Sequence, residues 1–322
     1  MIDKKRWKPR KVVIVGAGAV GSTFAYALAQ SGLADEIVLT DLNRELMEGQ
    51  ALDLAHGLPF FPSVEIRNGE KSEYANAQVI AITAGAKQRS GESRLDLLHR
   101  NAKVVEGIVD DIVSQQSQAV IVVVSNPVDV LTYVALKRSG WVRGQVIGSG
   151  TVLDSARFRY LLSRHCGIDV HNVHAYILGE HGDSEFAAWS MTHLAGISID
   201  EYCPICARCS DWKKERNGIA TLVRNSAYHI IDYKGATYYA IGLALVQIVG
   251  AILRNQRSVL TVSTLLEGEY GLEDVCLSVP CIVSQEGVER IMAANLSQEE
   301  LDALFKSGSV LRKALMELQQ AK

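Results

Sequence analysis

The chain has 322 residues, of which 48% are apolar and 21% are charged, and its formal net charge is −3. This composition is typical of a folded protein with a sizeable core and excludes intrinsic disorder. No basic stripe indicates a nucleic-acid partner, and no apolar run reaches the roughly 20 residues of a membrane-spanning helix. The length predicts two domains, which we place at residues 1–150 and 151–322.

The N-terminal segment resembles a secretory signal because basic residues precede an apolar run. The run Val12–Val15 is short, however, and it ends in a glycine turn. We therefore interpret it as the first β-strand and predict a cytosolic protein.

A glycine-rich turn follows that first strand. Gly16, Gly18 and Gly21 have the spacing G-x-G-x-x-G, and residues 22–30 are predicted to form a helix. In this context the first glycine permits a tight turn, the second lets a pyrophosphate approach the backbone, and the third lets the helix pack on its strand. Free N–H groups at the helix N-terminus favour phosphate binding. The stretch therefore predicts a dinucleotide site.

An acidic residue ends the second apolar run. Asp41 follows residues 37–40 and lies twenty residues after Gly21. A carboxylate at this position can accept hydrogen bonds from the ribose hydroxyls of NAD, and it would repel the 2′-phosphate of NADP. The predicted cofactor is therefore NAD.

Strands and helices alternate through the first half of the chain. Further strands are predicted at 79–83, 120–124 and 145–147, and helices at 44–55 and 95–114. This order is typical of a Rossmann-type, doubly wound parallel α/β sheet, which binds ligands at the carboxyl ends of its strands. Candidate binding segments follow three of the strands: Gly85-Ala86, Ser125-Asn126-Pro127 and Ser149-Gly150-Thr151.

The second half is predicted to be an α+β domain. Its expected elements are a helix at 151–166, a strand at 173–178, helices at 212–231 and 236–254, and antiparallel strands at 258–266 and 275–283. Ser297 and Glu300 fit a capping box that begins a final amphipathic helix, 297–320.

His181 is a candidate acid–base residue. It lies between glycines in Gly179-Glu-His-Gly-Asp-Ser184, and an imidazole with an ordinary pKa of about 6.5 can exchange a proton near neutral pH. A lone histidine is more often structural than catalytic, so the local sequence leaves both interpretations open.

Three charged residues have similar alternatives. Asp154 and Arg157 are three apart on a predicted helix and share one face. They form either an ordinary surface ion pair, or a site in which Asp154 orients a histidine and leaves Arg157 free to bind a carboxylate. Arg94 follows the polar segment Lys87–Ser93, which is either a loop that closes over the ligand or a solvated basic loop.

Three cysteines form the pattern C-x-x-C-x-x-C at Cys203, Cys206 and Cys209. Thiolates at this spacing can bind zinc or an iron–sulfur cluster, but no fourth ligand is obvious in the sequence. The alternative is a surface turn with reduced thiols. The sequence alone therefore predicts no metal site.

Taken together, these motifs resemble the bacterial L-lactate dehydrogenases of the lactate/malate dehydrogenase superfamily. The resemblance extends from about Lys11 to the C-terminal helix. It rests on the segments GAGAVGS, AGAKQRSGESRLDLLHRN, VSNPVDVLTY, GSGTVLDSARFR, HAYILGEHGDSE and KGATYYAIG. It implies a cytoplasmic, NAD-dependent homotetramer that interconverts pyruvate and (S)-lactate at the end of fermentative glycolysis.

The resemblance also implies roles for the candidate residues. His181 is the acid–base residue and Asp154 its partner, Arg157 binds the substrate carboxylate, and Arg94 on a mobile loop polarises the reacting carbonyl. Asn126 donates a hydrogen bond near the substrate oxygen. Substrate contacts are also implied for Gln88 and Thr237. The implied cofactor contacts are Gly16, Gly18, Val20, Gly21, Asp41, Gly85, Ala86, Val124, Ser125, Asn126 and Ser149.

One position separates lactate from malate dehydrogenases within this resemblance. Malate dehydrogenases have an arginine where this chain has Gln88, six residues before Arg94. Gln88 carries no charge for a second substrate carboxylate and suits the methyl group of pyruvate. Arg89 is adjacent, so a slip of one residue would restore the malate alternative.

The resemblance further implies an effector. Arg159 and His174 match the residues that bind fructose 1,6-bisphosphate at a subunit interface in the activated bacterial enzymes. Residues two apart on a helix point about 200° apart, so Arg159 and Arg157 are not expected to serve one ligand. The alternative is that Arg159 and His174 form plain interface ion pairs.

Overall fold

The computed structural model describes residues 9–86, 93–206, 208 and 211–320. The six strands of the first half are β1 Lys11–Val15, β2 Glu36–Thr40, β3 Glu65–Asn68, β4 Val79–Ile82, β5 Val120–Val123 and β6 Val146–Gly148. Those of the second half are β7 Val173–His174, β8 Ile177–Leu178, β9 Phe186–Ala187, β10 His193–Leu194, β11 Ile197–Ser198, β12 Ser258–Glu267, β13 Glu273–Ser284 and β14 Gly287–Ile291.

Helices cover the strands. They are α1 Ala19–Ser31, α2 Arg44–His56, α3 Arg94–Ser114, α4 Val128–Ser139, α5 Val152–Cys166, α6 Ile199–Ile205, α7 Trp212–Lys234, α8 Tyr239–Leu253 and α9 Gln298–Gln320. No helix in the described ranges combines the length and the apolar character needed to cross a membrane.

Within the described residues one mixed sheet has the strand order β14-β13-β12-β6-β5-β4-β1-β2-β3. Strands β1 to β6 are parallel to their neighbours, and β12 joins β6 antiparallel where Ser263 lies opposite Gly148. The sheet therefore continues from the first half into the second. The predicted Rossmann-type sheet followed by an α+β half is confirmed.

The inner parallel strands β1, β4 and β5 are apolar because helices cover both faces of their sheet. Val12, Ile14, Ile80 and Ile121 are all fully buried. Because these strands run parallel, their carboxyl ends meet along one edge of the sheet. That edge positions the segments after β1, β2, β4, β5 and β6.

The sequence analysis did not predict helices α4 and α6 or the short strands β3, β9, β10, β11 and β14. Helix α4 is buried around nearly its whole circumference, so it lacks the alternation of polar and apolar faces that identifies a surface helix. Strands β3 and β14 lie at the two edges of the sheet, where short mixed sequences such as Glu65–Asn68 do not stand out.

Two predicted elements have different bounds. The single strand predicted at 173–178 is wrong: β7 pairs with β10, whereas β8 pairs with β9 in another small sheet. The second long helix begins at Tyr239 and not at residue 236, because its N-cap, Tyr238, has a non-helical backbone with φ −149°. The capping box is confirmed, since Ser297 N donates to Glu300 Oε2 and Glu300 N to Ser297 Oγ.

Interpreting the cysteine motif as a surface turn is wrong for its first member. Cys203 lies inside α6 and is 1% exposed, packed in a small apolar core with Phe158 and Cys166. Cys206 is the half-buried C-cap of α6. Cys209 lies outside the described residues.

Candidate active site

The glycine turn has the geometry of a dinucleotide cradle. Gly16 has φ +108°, and a Cβ on Gly21 would lie 1.9 Å from the Gly16 carbonyl oxygen, so both positions require glycine. A Cβ on Gly18 would meet no protein atom within 4 Å in the described structure, which leaves space for a ligand. No side chain caps α1 there, so its first N–H groups remain available for phosphates.

Asp41 is held beside this turn by the backbone. Its Oδ2 accepts from the N–H of Ala17 at 2.7 Å, and its Oδ1 accepts from the N–H of Asn43 at 2.8 Å. Each carboxylate oxygen has a further lone pair, so the group can still accept hydrogen bonds from two hydroxyls. The turn, the helix terminus and the carboxylate together fit NAD.

One buried side chain, which the sequence analysis missed, joins two of the ligand-facing loops. Asn101 of α3 is 3% exposed. Its Oδ1 accepts from Ala86 N at 2.8 Å, and its Nδ2 donates to the Asn126 carbonyl at 3.0 Å. The segments after β4 and β5 are therefore linked to one another at the edge where Asn126 lies.

The remaining predicted cofactor residues lie along the same edge. Ser125 Oγ donates to the Ala84 carbonyl at 2.5 Å, and Ser149 N donates to the Val123 carbonyl at 2.8 Å. Val20 is in the first turn of α1, and Val124 directly follows β5. The structure thus collects these residues at the strand ends.

His181, Asp154 and Arg157 form one connected group. His181 Nδ1 lies 2.6 Å from Asp154 Oδ2, and Arg157 Nη1 donates to Asp154 Oδ1 at 2.7 Å. The side chains are 26%, 3% and 12% exposed, in that order, so the surface ion-pair alternative is wrong. Asp154 does orient a histidine, but Arg157 is not free of it: one Nη is paired and the other donors of the guanidinium remain for a ligand.

The loop that carries His181 is anchored by three elements. Gly179 exchanges two backbone hydrogen bonds of 3.0 Å with Ser278 of β13. Ser184 Oγ lies 3.0 Å from Ser307 Oγ of α9. The N–H of His181 donates to Asp129 Oδ2 at 2.8 Å. These contacts fix the imidazole position relative to the sheet.

Asp129 of α4 connects the loop that carries His181 to strand β12 of the sheet. It lies in α4, is 2% exposed, and its Oδ1 also accepts from Ser263 Oγ of β12 at 2.6 Å. Burial raises the pKa of Asp129 to about 6, against the opposing effect of hydrogen bonds from Ser263 and His181. The sequence analysis missed Asp129, although an acid inside the apolar run VSNPVDVLTY is a detectable signal.

The charges around His181 favour its protonated form. Burial disfavours the imidazolium, but the carboxyl groups of Asp154, Asp129 and Glu185 outweigh burial and raise the pKa of His181 to about 9. Burial also disfavours ionised Asp154, yet the charges of His181 and Arg157 hold its pKa below the ordinary value. The pair is therefore imidazolium and carboxylate at neutral pH.

Glu185 is a further acid that the sequence analysis missed. It is 6% exposed, and its carboxyl oxygen, an Asp154 oxygen and a His181 nitrogen all lie within 4.8 Å of one another. Burial, reinforced by the charge of Asp154, raises the pKa of Glu185 to about 8, while the charges of His181, Arg157 and Arg224 oppose this shift. Glu185 is therefore mostly protonated at neutral pH.

Three predicted site residues remain: Gln88, Arg94 and Thr237. Gln88 lies outside the described residues, and Arg94 is the first residue of α3. Thr237 lies in the segment between α7 and α8, and α7 reaches the loop that carries His181, where Tyr228 donates to Asp183 at 2.8 Å.

Family models match almost the whole chain. The NAD binding domain of lactate/malate dehydrogenase matches residues 10–148, and the α/β C-terminal domain of the same family matches residues 151–321. The chain belongs to the lactate/malate dehydrogenase family. It is an NAD-dependent dehydrogenase, as the glycine turn and Asp41 predicted.

Relatives of known name agree with this assignment. The chain is 60% identical to an L-lactate dehydrogenase of Treponema denticola, over 97% of this chain and 99% of that protein. It is 53% identical to an L-lactate dehydrogenase of Acetivibrio thermocellus, over 96% and 97%. The crystal structure of a lactate dehydrogenase from a Medee basin deep-sea metagenome library has a TM-score of 0.94 at 43% identity, covering 97% of this chain and 100% of that chain.

Proposed function

We propose that the chain interconverts pyruvate and (S)-lactate, with NADH and NAD as the hydride carriers. The observation that carries the proposal is the buried His181–Asp154 pair with Arg157 on the same carboxylate. An acid–base group beside a guanidinium suits a substrate in which a carboxylate adjoins a ketone or an alcohol. We place the NAD-binding domain at residues 1–150 and the substrate domain at 151–322.

NAD supplies the hydride chemistry when it is bound. The residues that would hold it are Gly16, Gly18, the first turn of α1 and Asp41, together with the segments after β4 and β5. Because the carboxylate of Asp41 would face the 2′-phosphate of NADP, we expect strong preference for NAD.

The chain's own residues manage the proton and the developing charge. Reducing a ketone places negative charge on its oxygen, and the protonated Nε2 of His181 can both stabilise that charge and donate its proton. Asp154 holds the ring through Nδ1 and stabilises the imidazolium. Arg157 binds the substrate carboxylate and Arg94 polarises the carbonyl. In the reverse direction neutral His181 accepts the hydroxyl proton.

Gln88 favours pyruvate over oxaloacetate. Rates of NADH oxidation with the two substrates test this proposal directly, and pyruvate should have the higher kcat/KM. Gln88→Arg should shift the ratio of kcat/KM values toward oxaloacetate by ~30-fold or more, since a new buried ion pair contributes roughly 2–5 kcal/mol. Arg89→Gln is the matched control, and a shift there but not in Gln88→Arg would place Arg89 in the substrate site.

We also propose that the enzyme is a cytoplasmic homotetramer activated by fructose 1,6-bisphosphate. Arg159 is half-buried, and its Nε has no hydrogen-bond partner among the described residues. Burial lowers the pKa of this guanidinium, so the charge lacks compensation. His174 is exposed on β7 opposite His193 of β10. A bisphosphate between two subunits would supply the missing negative charge.

Pyruvate saturation curves at low enzyme concentration test the effector site. The effector should lower the half-saturating pyruvate concentration of the unmodified enzyme, and Arg159→Gln/His174→Gln should abolish that change. Arg164→Gln removes an exposed arginine of the same helix and should respond like the unmodified enzyme. Activation that survives the double substitution would place the effector elsewhere.

A further inference from the structure

The buried face of the C-terminal helix α9 carries two polar side chains. Leucines form most of the residues that α9 buries, yet Glu300 is 7% exposed and Ser307 is fully buried on the same face. Residues seven apart complete almost two turns of a helix, roughly 10 Å along its axis, so both side chains point the same way. Burying a polar group costs free energy unless the group is hydrogen-bonded, so the partners of these two residues are informative.

Both polar side chains bind the segment that follows His181. Ser307 Oγ donates to the Ser184 carbonyl at 2.8 Å and lies 3.0 Å from Ser184 Oγ. The carboxylate of Glu300 accepts from the N–H of Ser190 at 3.0 Å and from its hydroxyl at 2.5 Å. Helix α9 therefore holds the chain after His181 at two points.

Ser307 also lies between the two arms of the loop that carries His181. A Cβ on Gly179 would lie 2.6 Å from Ser307 Oγ, so the arm before His181 packs directly on this hydroxyl. The other arm ends at Ser184, whose hydroxyl donates to the Glu180 carboxylate and so closes the loop around His181. One buried hydroxyl thus contacts the loop on both sides of the histidine.

The position of the imidazole depends closely on the position of this loop. His181 Nδ1 lies 2.6 Å from Asp154 Oδ2, and Asp154 belongs to α5, which is a separate element. A displacement of the loop by about 1 Å away from α5 would lengthen this contact beyond the range of a hydrogen bond. Ser307 opposes such a displacement because it is bonded to the loop and belongs to a helix that packs against β13, α3 and α4.

We propose that Ser307 is a positioning residue for proton transfer, which fixes the His181 loop so that the imidazole stays on Asp154. This inference rests on the proposed role of His181 in the interconversion of pyruvate and lactate. Ser307 acts through the loop, whereas the substrate carboxylate and the dinucleotide are assigned to Arg157 and to the glycine turn. The effect of Ser307 should therefore be confined to the chemical step.

Single-turnover oxidation of NADH at saturating pyruvate tests the proposal in the intact enzyme, since it measures the chemical step without product release. Ser307→Ala removes the hydroxyl with little change of volume, and the single-turnover rate should fall by about 5-fold, the effect of one buried hydrogen bond. The Kd of NADH and the KM of pyruvate should each change by less than about 2-fold. A hydroxyl that only stabilised the fold would change the Tm and leave the single-turnover rate unaltered.

Two further serines provide the control and a second test. Ser309→Ala is the matched control, because Ser309 is an exposed serine of the same helix whose hydroxyl donates to the Phe305 carbonyl. This variant should keep the rate of the unmodified enzyme. Ser184→Ala removes the loop hydroxyl beside Ser307 and should lower the rate by at least as much as Ser307→Ala does. It provides the test if Ser307→Ala does not fold, and an unaltered rate in Ser184→Ala would then overturn the proposal.

A double-mutant cycle distinguishes failure of this inference from failure of the proposed function. If Ser307 acts through His181, adding Ser307→Ala to His181→Asn should lower the remaining rate by less than about 2-fold. A further loss as large as that in the unmodified background would overturn the inference, as would equal rates in Ser307→Ala and Ser309→Ala. If His181→Asn alone keeps most of the rate, the proposed role of His181 is wrong and this inference fails with it.

Discussion

The cofactor turn and the proposed acid–base centre of this enzyme are built in different ways. The turn uses the backbone geometry of one short stretch, which Gly16, Gly18 and Gly21 shape. Asp41 lies beside that stretch and accepts a hydrogen bond from the N–H of Ala17. The acid–base centre uses side chains from separate elements, with His181 held by α5 and α4. A ligand of fixed shape can be bound by a local motif, whereas proton transfer requires groups brought together by the fold.

The largest effect should come from removing the acid–base group alone. His181→Asn eliminates proton transfer at Nε2, so kcat for pyruvate should fall by roughly 10²–10⁴-fold. The dinucleotide cradle is untouched, so the Kd of NADH measured by fluorescence should change little. A variant that kept most of its kcat would exclude His181 from proton transfer, and loss of NADH binding would show that the two regions are not independent.

Substitution by alanine at two glycines of the same turn should have different effects on the thermal stability of the protein. A Cβ on Gly21 would overlap the Gly16 carbonyl, so Gly21→Ala should destabilise the protein by roughly 1–3 kcal/mol and lower its Tm. A Cβ on Gly18 meets no protein atom, so Gly18→Ala should keep the Tm.

Gly18→Ala should nevertheless weaken NADH binding by ~10-fold or more, about 1.4 kcal/mol, because the new methyl group occupies the ligand's space. Thermal melts and NADH titrations of both variants separate stability from binding. Equal losses of Tm in the two variants would contradict a ligand-filled space at Gly18.

Substitution of Asp129 tests how far the position of the His181 loop depends on α4 and β12. Asp129→Asn replaces one acceptor oxygen by a donor, so it cannot accept from both the His181 N–H and Ser263. We expect kcat to fall by about 5-fold with an unchanged Kd of NADH, because a buried hydrogen bond contributes about 1 kcal/mol. Ser263→Ala keeps the hydrogen bond from the N–H of His181 to the Asp129 carboxylate, so it should lower kcat less than Asp129→Asn does. A larger loss in Ser263→Ala would assign the positioning role to β12 instead.

Near neutral pH, a change of pH should alter kcat/KM less than any of the substitutions above. Because the pKa of His181 is raised to about 9, kcat/KM for pyruvate should be flat below that pH and fall tenfold per unit above it. The reverse reaction needs neutral His181 and should rise with pH until the same midpoint. The stability contributed by the His181–Asp154 pair is fully present below pH about 6.5 and is lost as the pH rises through about 9.

Glu185→Gln should move the midpoint of this pH profile. Glu185 ionises near pH 8, and its charge then favours the imidazolium of His181. The substitution should lower the midpoints of both reactions by roughly one pH unit or less. Gln keeps the shape of the side chain, so kcat at pH 7 serves as the control. An upward or absent shift would show that Glu185 does not act on His181 through its charge.

The sequence determined the parts of the protein that depend on neighbouring residues. Apolar runs that alternate with predicted helices indicated parallel strands, and glycine spacing with Asp41 predicted the cradle, since both signals are patterns of residues near one another in the chain. Helix α4 was missed because burial on all sides removes the helical period. Edge strands were missed because they are short and mixed in composition.

Only the tertiary structure decided which side chains meet. His181 is 27 residues from Asp154 and 52 from Asp129, and local spacing could not distinguish a buried Asp154–Arg157 pair from a surface pair. The reason is physical: packing of helices against the sheet sets these distances and removes the water, and desolvation then sets the pKa values on which the chemistry depends.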